Sequence, residues 1–547
     1  MRLTALSALI ALAGVAHTQT VPAGYKVETV VTGLSLPTSM AFIGPGRFLV
    51  LEKNTGIVKH FLNGISQGNA LDLAVASDSE RGLLGICLDP DFAVNGFLYL
   101  YYSKSNVDGG SWQDNRVEKF FWNGSTLTFV QTLITFPSDG SQNNGPNHDG
   151  GIIKIGPDRK LYIITGDLNR NRLEQNQSAT LISGVGGIIR LNLDGSIPSD
   201  NPFTGYSDNK VWKYYAYGIR NSFGMTFDPF TNKLWYTENG PNSYDEINVA
   251  GSGFNSGWNK LMGPDSRNTL NASDLVYLPN AYYQDPIFSW LATIAPTGIV
   301  FLNSIEFSAP ERNNMMIADN NNGNLYLFEM NPARDGIIYK PGTEDTVADN
   351  TTERNLYRWG FSFNSLTDLV IGPDRFLYAV GIAAGKVYRI RPVDYVAWPD
   401  TLSIIRGLLL GGNTKSLEDS DDDRLKLQQG AVLSGSNDAP IQFEVSATST
   451  VATTTQLQVM IESGASFNGV QETVELKDQQ TSQWEIVAQS NPFSERVLTV
   501  FITANPSRFI EPNTKQIQAR VSYRRIGGVT QGKWSASIDQ LVVKVHE

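Results

Sequence analysis

The chain has 547 residues, a formal net charge of −11 and one cysteine, Cys87. This length exceeds that of one ordinary domain, so two or three domains are expected. The acidic balance argues against general nucleic-acid binding, and a lone cysteine excludes an internal disulfide framework. Fifty glycines and few amphipathic helical patterns indicate an all-β protein that is rich in turns.

The N-terminus has the pattern of a secretory signal peptide. Arg2 precedes the apolar run Leu3–Val15, and small and polar residues follow it. The run is too short to span a bilayer, so residues 1–18 are predicted to be a cleaved signal peptide, with a buried helix as the alternative. No later stretch is long and apolar enough to cross a membrane. We therefore expect a secreted or periplasmic protein.

One strand–turn–strand pattern recurs along residues 19–393. Each copy has an apolar strand, a turn with Pro, Asp or Gly, and a strand of the type Leu-Tyr. The six copies are Ser39–Glu52, Leu83–Tyr102, Gly151–Thr165, Gly224–Thr237, Gly298–Tyr326 and Asp368–Val380. Such hairpins cannot bury both faces alone, so they must pack on one another. Six units predict a six-bladed β-propeller, with a large β-sandwich as the alternative.

The C-terminal part of the sequence has a different pattern. Residues 394–400 are predicted to be a linker, and residues 401–547 a separate β-sandwich. Its predicted strands alternate apolar and polar residues and are Ile441–Val445, Gln456–Ile461, Glu472–Leu476, Val497–Ile502, Gln516–Val521 and Ser535–Val543. The acidic run Glu418–Asp423 is interpreted as a solvated loop, with calcium binding as the alternative.

The third repeat brings two chemically active side chains together. Its strands, Ile152–Ile155 and Leu161–Thr165, flank a Gly-Pro-Asp turn, which predicts a β-hairpin. Antiparallel pairing about this turn places His148 opposite Asp167 at the open end of the hairpin. A carboxylate beside a histidine fixes its tautomer and raises its basicity. The pair is a candidate general base, and a surface pair without a function is the alternative.

The same geometry in the fourth repeat places Arg220 and Asn221 beside Gly240–Asn242. Since the open ends of the hairpins lead into long loops, polar residues are expected to gather on one rim. They are Glu80, His148, Asp167, Arg220, Asn221, Gly240, Pro241, Asn242, Asp245, Glu246 and Asn321. The run Asn239–Asn248 offers backbone carbonyls and two carboxylates, which suit Ca²⁺. A turn capped by Asp245 is the alternative.

Several segments resemble the soluble quinoprotein glucose dehydrogenases and their aldose or sorbosone dehydrogenase relatives. They are Arg81–Phe92, Ile152–Asp167, Ile189–Pro198, Gly218–Asn221, Gly240–Asn248 and Thr293–Pro296. The resemblance implies a six-bladed propeller that binds pyrroloquinoline quinone and Ca²⁺ and oxidises sugars. It does not extend to the C-terminal domain. A sugar substrate and an external electron acceptor are the partners that it implies.

The resemblance also implies catalytic roles by position. His148 would be the general base that takes the proton of the anomeric hydroxyl, and Asp167 would orient it. Hydride would pass from the anomeric carbon to the quinone. Glu80 falls where the family has a polar contact to the substrate.

Cofactor and metal roles follow from the same resemblance. Arg220 and Asn221 would hold the quinone oxygens and the adjacent carboxylate, and the guanidinium would stabilise charge as the ring is reduced. The carbonyls of Gly240 and Pro241 would ligate the Ca²⁺ that polarises the cofactor. Glu246 would serve a second, structural Ca²⁺.

The sequence departs from the family where the cofactor's carboxylates are bound. The family uses one lysine and two arginines, whereas Asn321, Ser365 and Thr367 stand here. Asn321 and Thr367 are the candidate cofactor-binding residues, and each lost cation costs ~2–4 kcal/mol of binding. The alternative function is therefore a non-catalytic propeller that binds glycan or protein and has lost the quinone. A propeller lactonase is a third class, for which inward-facing metal ligands would be expected.

Overall fold

The computed structural model describes residues 18–137, 145–169, 176–177, 184–433, 436, 438–526 and 532–547. All but the last residue of the predicted signal peptide lie outside this range. The chain divides into two compact units, Met1–Arg391 and Pro392–Glu547. Among the described residues, we find no helix with the length and apolar character needed to cross a membrane.

The first unit starts with strand β1 (Tyr25–Val31), and three sheets follow in chain order. The first sheet contains β2 (Pro37–Gly44), β3 (Arg47–Glu52), β4 (Ile57–Leu62) and β5 (Ile65–Asp72). The second contains β6 (Leu83–Leu88), the short helix α1 (Phe92–Asn95) as a connection, β7 (Phe97–Lys104), β8 (Asp114–Trp122) and β9 (Leu127–Pro137). The third contains β10 (Ile152–Ile155), β11 (Leu161–Thr165), β12 (Gly187–Leu191) and β13 (Tyr214–Tyr217).

Three more sheets complete this unit. The fourth contains β14 (Gly224–Phe227), β15 (Leu234–Glu238) and β16 (Asp245–Ala250); β17 (Phe254–Asn255) then joins the third sheet, and β18 (Phe288–Trp290) joins the fourth. The fifth contains β19 (Pro296–Phe301), β20 (Met315–Asp319) and β21 (Leu325–Phe328), after which β22 (Val347–Ala348) pairs with β18. Helix α2 (Thr351–Asn355) leads to β23 (Arg358–Gly360), the last strand of the fifth sheet. The sixth contains β24 (Leu366–Ile371), β25 (Leu377–Gly381) and β26 (Lys386–Pro392), with β1 beside β26.

The first strand of each sheet contacts the first strand of the next, and β24 of the sixth sheet returns to β2 of the first. At this junction the Ser39 hydroxyl donates to the Asp368 carboxylate over 2.6 Å. Gly85 lies so close to the third sheet that a Cβ there would be 2.0 Å from the Gly151 carbonyl oxygen. The leading strands therefore pack backbone against backbone, and their open ends meet.

The predicted repeats correspond to these sheets, and the prediction of an all-β chain is confirmed. Five of the six predicted hairpins are the first two strands of a sheet. In the fifth repeat β19 pairs with β20, and the Leu-Tyr strand around Tyr326 is β21, one strand further out. Apolar side chains fill the spaces between neighbouring sheets, as Tyr101 and Ile153 do between the second and third.

The described part of the second unit contains eleven strands. In chain order they are β27 (Asp394–Ala397), β28 (Pro399–Arg406), β29 (Leu408–Gly411), β30 (Leu425–Gln428), β31 (Ile441–Thr448), β32 (Gln456–Ala465), β33 (Val470–Lys477), β34 (Trp484–Ser490), β35 (Arg496–Ile502), β36 (Gln516–Arg525) and β37 (Ser535–His546). One sheet has the order β29-β30-β37-β32-β35, with β27 also paired to β37. The other has the order β28-β31-β36-β33-β34.

All six strands predicted here from alternation are present, but the predicted linker is wrong. All of residues 394–400 except Trp398 lie in β27 or β28. Tyr395 and Ala397 bury their side chains while the backbone of β27 pairs with β37. Both sheets have one buried face with alternating residues, and the Ser463 hydroxyl of β32 donates to Glu472 of β33 in the other sheet. The two sheets therefore contact each other through their buried faces.

Candidate active site

The hairpin of β10 and β11 carries the predicted histidine–carboxylate pair. Ile152 lies opposite Ile164, close to the predicted register. Just before β10, His148 has a φ of 61°, and its Nδ1 lies 2.6 Å from Asp167 Oδ1. Only 14 % of the His148 side chain and 4 % of the Asp167 side chain are exposed. The predicted contact between these two residues, called the dyad below, is confirmed.

Two hydrogen bonds hold the Asp167 carboxylate in place, and this carboxylate sets the tautomer of His148. Its Oδ2 accepts a hydrogen bond of 2.8 Å from the Trp258 indole, and its Oδ1 accepts one of 2.9 Å from the Asn169 backbone. A carboxylate at Nδ1 assigns the imidazole proton to that nitrogen. The other ring nitrogen, Nε2, is then the acceptor for a proton from a substrate.

Glu80 links the loops of three sheets around the dyad. Its Oε2 accepts hydrogen bonds from the backbone of His148 at 2.7 Å and from the side-chain amide of Asn221 at 3.0 Å. The Asn221 Oδ1 in turn accepts from the Gly150 backbone at 3.2 Å. Asn221 is thus committed to the protein through both ends of its amide. Glu80 Oε1 has no hydrogen-bond partner among the described residues, so this oxygen remains available to a substrate.

Arg220 lies next to the dyad. The Asp167 backbone donates to the Arg220 carbonyl over 2.9 Å, and the guanidinium carbon lies 5.5 Å from the centre of the Trp258 ring. One guanidinium nitrogen donates to the Asn239 carbonyl over 2.7 Å. Burial lowers the pKa of Arg220, and the carboxylates of Asp167 and Glu80 oppose this shift. The guanidinium thus remains a cation with further N–H groups to offer.

Gly166 is the residue that allows this close approach. A Cβ at this position would lie 2.1 Å from the His148 carbonyl oxygen and 2.9 Å from the Arg220 carbonyl oxygen. Both of these are backbone atoms, so they cannot turn away as a side chain would. The loops that carry the base and the guanidinium therefore both approach a residue that must lack a side chain.

The bend Gly240–Asp245 is closed by its own carboxylate. Asp245 Oδ1 accepts from the Gly240 backbone at 2.8 Å, and Oδ2 accepts from the backbones of Ile294 and Ala295 at 2.6 and 2.7 Å. Burial raises the pKa of Asp245 to about 6. Asp245 therefore caps the bend, as the alternative interpretation of the sequence held. The carbonyls of Gly240 and Pro241 accept no hydrogen bond from any described residue.

Glu246 lies away from this bend. It faces the other side of β16 from Asp245 and lies opposite Glu238 of β15. It accepts hydrogen bonds from Asn248 at 2.8 Å and from the Gly263 backbone at 2.5 Å. Burial and the neighbouring Glu238 raise the pKa of Glu246 well above its usual range, and burial raises that of Glu238 to about 7. These two buried carboxyls form an acidic pair, and Glu238 Oε1 also accepts a hydrogen bond of 2.7 Å from the Arg220 backbone. Sequence reasoning missed Glu238.

Asn321 and Thr367, which stand where the family has cations, provide few hydrogen-bond donors to an anion. Asn321 is exposed, and its amide lies 3.5 Å from the Thr293 carbonyl. The Thr367 hydroxyl donates to the carbonyls of Pro37 and Val380 at 3.2 and 3.3 Å. The hydroxyl proton of Thr367 is therefore directed at backbone carbonyls, whereas the sequence predicted that this residue contacts the cofactor.

Sequence reasoning missed a second buried group beside the dyad. Asp149 is fully buried; Oδ1 accepts from Asn115 at 2.8 Å, whereas Oδ2 has no partner among the described residues. Burial raises the pKa of Asp149 to about 8 and lowers that of the nearby Lys53 to about 8. Asp149 follows His148 directly and was identifiable from that position. Trp258 was not, because it lies 91 residues beyond Asp167 and no local motif marks it.

Comparison with known proteins identifies the family. The model for Glucose / Sorbosone dehydrogenase matches residues 34–354, more than half of the chain. Aldose sugar dehydrogenase YliI of Escherichia coli is 29 % identical over 378 residues, which cover 68 % of this chain and 94 % of that protein. Quinoprotein glucose dehydrogenase B of Acinetobacter calcoaceticus is 34 % identical over 209 residues, which cover 34 % of this chain and 41 % of that protein.

A solved structure gives the same result. The soluble aldose sugar dehydrogenase of Escherichia coli, in its apo-form, superposes with a TM-score of 0.51 at 26 % identity. The match covers 67 % of this chain and 99 % of that one. The chain therefore belongs to the Glucose / Sorbosone dehydrogenase family.

Proposed function

We propose that this protein is a secreted sugar dehydrogenase that oxidises the anomeric hydroxyl of aldoses, with pyrroloquinoline quinone as hydride acceptor and Ca²⁺ as its metal. The observation that carries the proposal is the dyad with Arg220 beside it: the base, its orienting carboxylate and a half-buried cation lie around Gly166. The named relatives support the same substrate class. An external acceptor then takes the electrons from the reduced cofactor.

The architecture that we propose follows the family. The six sheets of the first unit are taken as six propeller blades, supported by the contacts of their leading strands in a closed series. The second unit is taken as a β-sandwich, supported by the alternating buried faces of its two sheets. Secretion is supported by the signal-like pattern of residues 1–18.

The polar groups around the dyad fit the proposed cofactor and metal. Arg220 uses one N–H group on Asn239, and its other donors have no partner in the described parts of the chain. The buried Oδ1 of Asn239 also lacks a partner there. Next to them, the unpaired carbonyls of Gly240 and Pro241 are hard oxygen ligands of the kind that Ca²⁺ prefers. The quinone oxygens would be held by Arg220 and the metal by these two carbonyls.

The chemistry divides between the dyad and the cofactor. His148 Nε2 accepts the proton of the anomeric hydroxyl, while Asp167 stabilises the imidazolium that forms. Pyrroloquinoline quinone, when bound, supplies a two-electron acceptor for the hydride that leaves the anomeric carbon, so that the sugar becomes a lactone. Arg220 provides positive charge where negative charge develops. Glu80 holds the His148 loop and offers Oε1 to a sugar hydroxyl.

Reconstitution of the purified full-length protein tests the proposal. We would add pyrroloquinoline quinone and Ca²⁺ and follow dye reduction with a panel of aldoses. Turnover that requires the quinone, Ca²⁺ and an aldose with a free anomeric hydroxyl is the expected result. A protein that neither turns over nor binds the quinone at about 10–100 μM, a weak affinity for so polar a ligand, would contradict the proposal.

A second candidate function is a propeller that binds glycan or protein without catalysis. The observation in its favour is that Asn321 and Thr367 stand where the resemblance leads us to expect cations. Against it stands the dyad, which a binding scaffold does not require. Retention of a sugar ligand without quinone binding in the same reconstitution would favour this second function.

A further inference from the structure

A cluster of carboxylates in the second unit is independent of the proposed oxidation site. Glu462 of β32, Asp539 of β37 and Glu495, just before β35, form what we call the acidic trio. One oxygen from each lies within 4.8 Å of the others. These three oxygens are close enough to ligate one ion, because Ca²⁺–oxygen distances of about 2.3–2.6 Å separate opposite ligands by roughly 5 Å.

Asp539, the most buried member of this cluster, has a side-chain oxygen without a partner among the described residues. The residue is 3 % exposed, and its Oδ1 has no hydrogen-bond partner in the described chain. Its Oδ2 accepts only a long hydrogen bond of 3.3 Å from the Asp422 backbone. A buried carboxylate oxygen without a donor is costly. A bound cation would remove this cost.

The strand pairing explains why Asp539 reaches the trio. Glu462 lies opposite Gln540 and Ser463 opposite Ile538, so Asp539 is the extra residue of a β-bulge. A bulge interrupts the regular alternation of a strand, so a side chain can lie on the face opposite to the one that alternation would give it. Glu462 is on the solvent-side face of β32, where the alternate residues are half-buried. The bulge therefore brings Asp539 to the face of Glu462.

The charge around the trio suits a divalent cation. Arg424 contacts the trio through a hydrogen bond of 2.7 Å to Glu495, and it also forms an ion pair with Asp422, which lies beside the trio. Three carboxylates and one guanidinium leave a formal charge of −2. The acidic run Glu418–Asp423 lies alongside, since the Asp422 backbone contacts Asp539 and Gln540 donates to the Glu418 carbonyl over 2.9 Å.

We propose that the acidic trio binds one divalent cation, with Ca²⁺ the favoured ion because every available ligand is an oxygen. Asp539 is the buried anchor, and Glu462 and Glu495 close the site from the more exposed side. The ion joins β32, β37 and the loop before β35, and so stabilises one face of the second unit. Ion binding here is separate from the Ca²⁺ of the proposed oxidation site.

Calcium titration of the EDTA-treated full-length protein tests this inference. Calorimetry should find one Ca²⁺ equivalent that Asp539→Asn and Glu462→Gln each lose or weaken at least about tenfold. Thermal unfolding should show a larger Ca²⁺-dependent rise in Tm in the wild type than in either variant. Both variants should keep the quinone-dependent turnover of the wild type. The Ca²⁺ titration does not require turnover, so its result stands even if the proposed oxidation fails.

The matched control is Glu475→Gln, which removes a half-buried strand carboxylate from the other sheet of the same unit. It should keep the full number of Ca²⁺ equivalents and the rise in Tm. Equal Ca²⁺ stoichiometry and affinity in the wild type, Asp539→Asn and Glu462→Gln would overturn the proposal. So would a wild type whose Tm is insensitive to Ca²⁺ while all variants remain folded.

Discussion

Two regions of the first unit differ in how their polar side chains are used. Around the dyad, polar atoms keep capacity for a ligand: His148 Nε2, Glu80 Oε1 and the remaining N–H groups of Arg220. At Asn321 and Thr367 the side chains are exposed or bonded to backbone carbonyls. In the proposed mechanism the first region handles protons and electrons, and the second is where the family holds the cofactor's carboxylates.

This difference leads us to expect that chemistry and cofactor affinity are separable in this protein. In the proposed mechanism the dyad and Arg220 stabilise charges that develop during the reaction, so their loss should lower kcat. Cations at positions 321 and 367 would bind carboxylates of the cofactor. The charge of those carboxylates does not change during the reaction. Changes there should alter the affinity for the quinone and leave the chemical step alone. The predictions below test this separation.

The largest effect is expected for His148→Gln. Removal of a general base typically costs 10²–10⁴-fold, so we expect kcat to fall by about 10³-fold while quinone affinity is retained. Steady-state dye reduction and a quinone titration measure the two quantities. His546→Gln, which changes a histidine of the second unit, is the control and should leave both unchanged. Equal activity in His148→Gln would remove this residue from the mechanism.

Asp167→Asn should have the next largest effect. The amide no longer stabilises the imidazolium, and it can present the wrong group to Nδ1, so kcat should fall by roughly 10²-fold. Trp258→Phe, which removes the indole donor to Asp167 and keeps an aromatic ring beside Arg220, should lower kcat less. A kcat equal to that of the wild type in Asp167→Asn would contradict this role.

Asn321→Lys tests the second region. An exposed cation near a carboxylate contributes ~1 kcal/mol, so the Kd for pyrroloquinoline quinone should fall about fivefold with kcat unchanged. Asn322→Lys is the matched control: it adds the same charge one residue further along and should tighten binding less. Equal effects of the two variants would show that position 321 does not face the cofactor.

The smallest effect concerns Asp149 and pH. Its pKa is raised from 3.8 to about 8 by burial, so the folded protein binds the proton more tightly than the unfolded chain. Stability from this residue is complete below about pH 4 and is lost as the pH rises towards 8. Asp149→Asn should therefore flatten the fall in urea midpoint between pH 5 and 8. A slope unchanged from the wild type would show that Asp149 is already ionised.

Local patterns predicted much of this molecule. The Gly-Pro-Asp turn and its flanking β-branched strands specify the register of β10 and β11, and the register brings His148 to Asp167. Alternation specified the six strands predicted in the second unit. Contacts between distant segments were not accessible in this way. Trp258 reaches Asp167 from the segment after β17, a strand that joins the same sheet from far along the chain, so its role depends on a long-range strand pairing.

Other differences arise from residues that fit two environments. Asp245 and Glu246 are neighbours in sequence, so composition suggested that both were ligands. Strand alternation places their side chains on opposite faces of β16. Only the structure shows that Asp245 caps the bend. Residues 394–400 include Pro399 and polar groups typical of a linker. Their backbone pairing with β37 depends on a strand about 150 residues away, which no local pattern reveals.

The central claim is that the anomeric carbon is oxidised at the dyad. It is tested most directly by stopped-flow reduction of the quinone-loaded, Ca²⁺-bound protein with an aldose that carries deuterium at the anomeric carbon only. The account predicts that deuterium slows the reduction of the quinone in the wild type, and that His148→Gln is reduced far more slowly with either sugar. Reduction at the same rate with both sugars, or equally fast in His148→Gln, would contradict it.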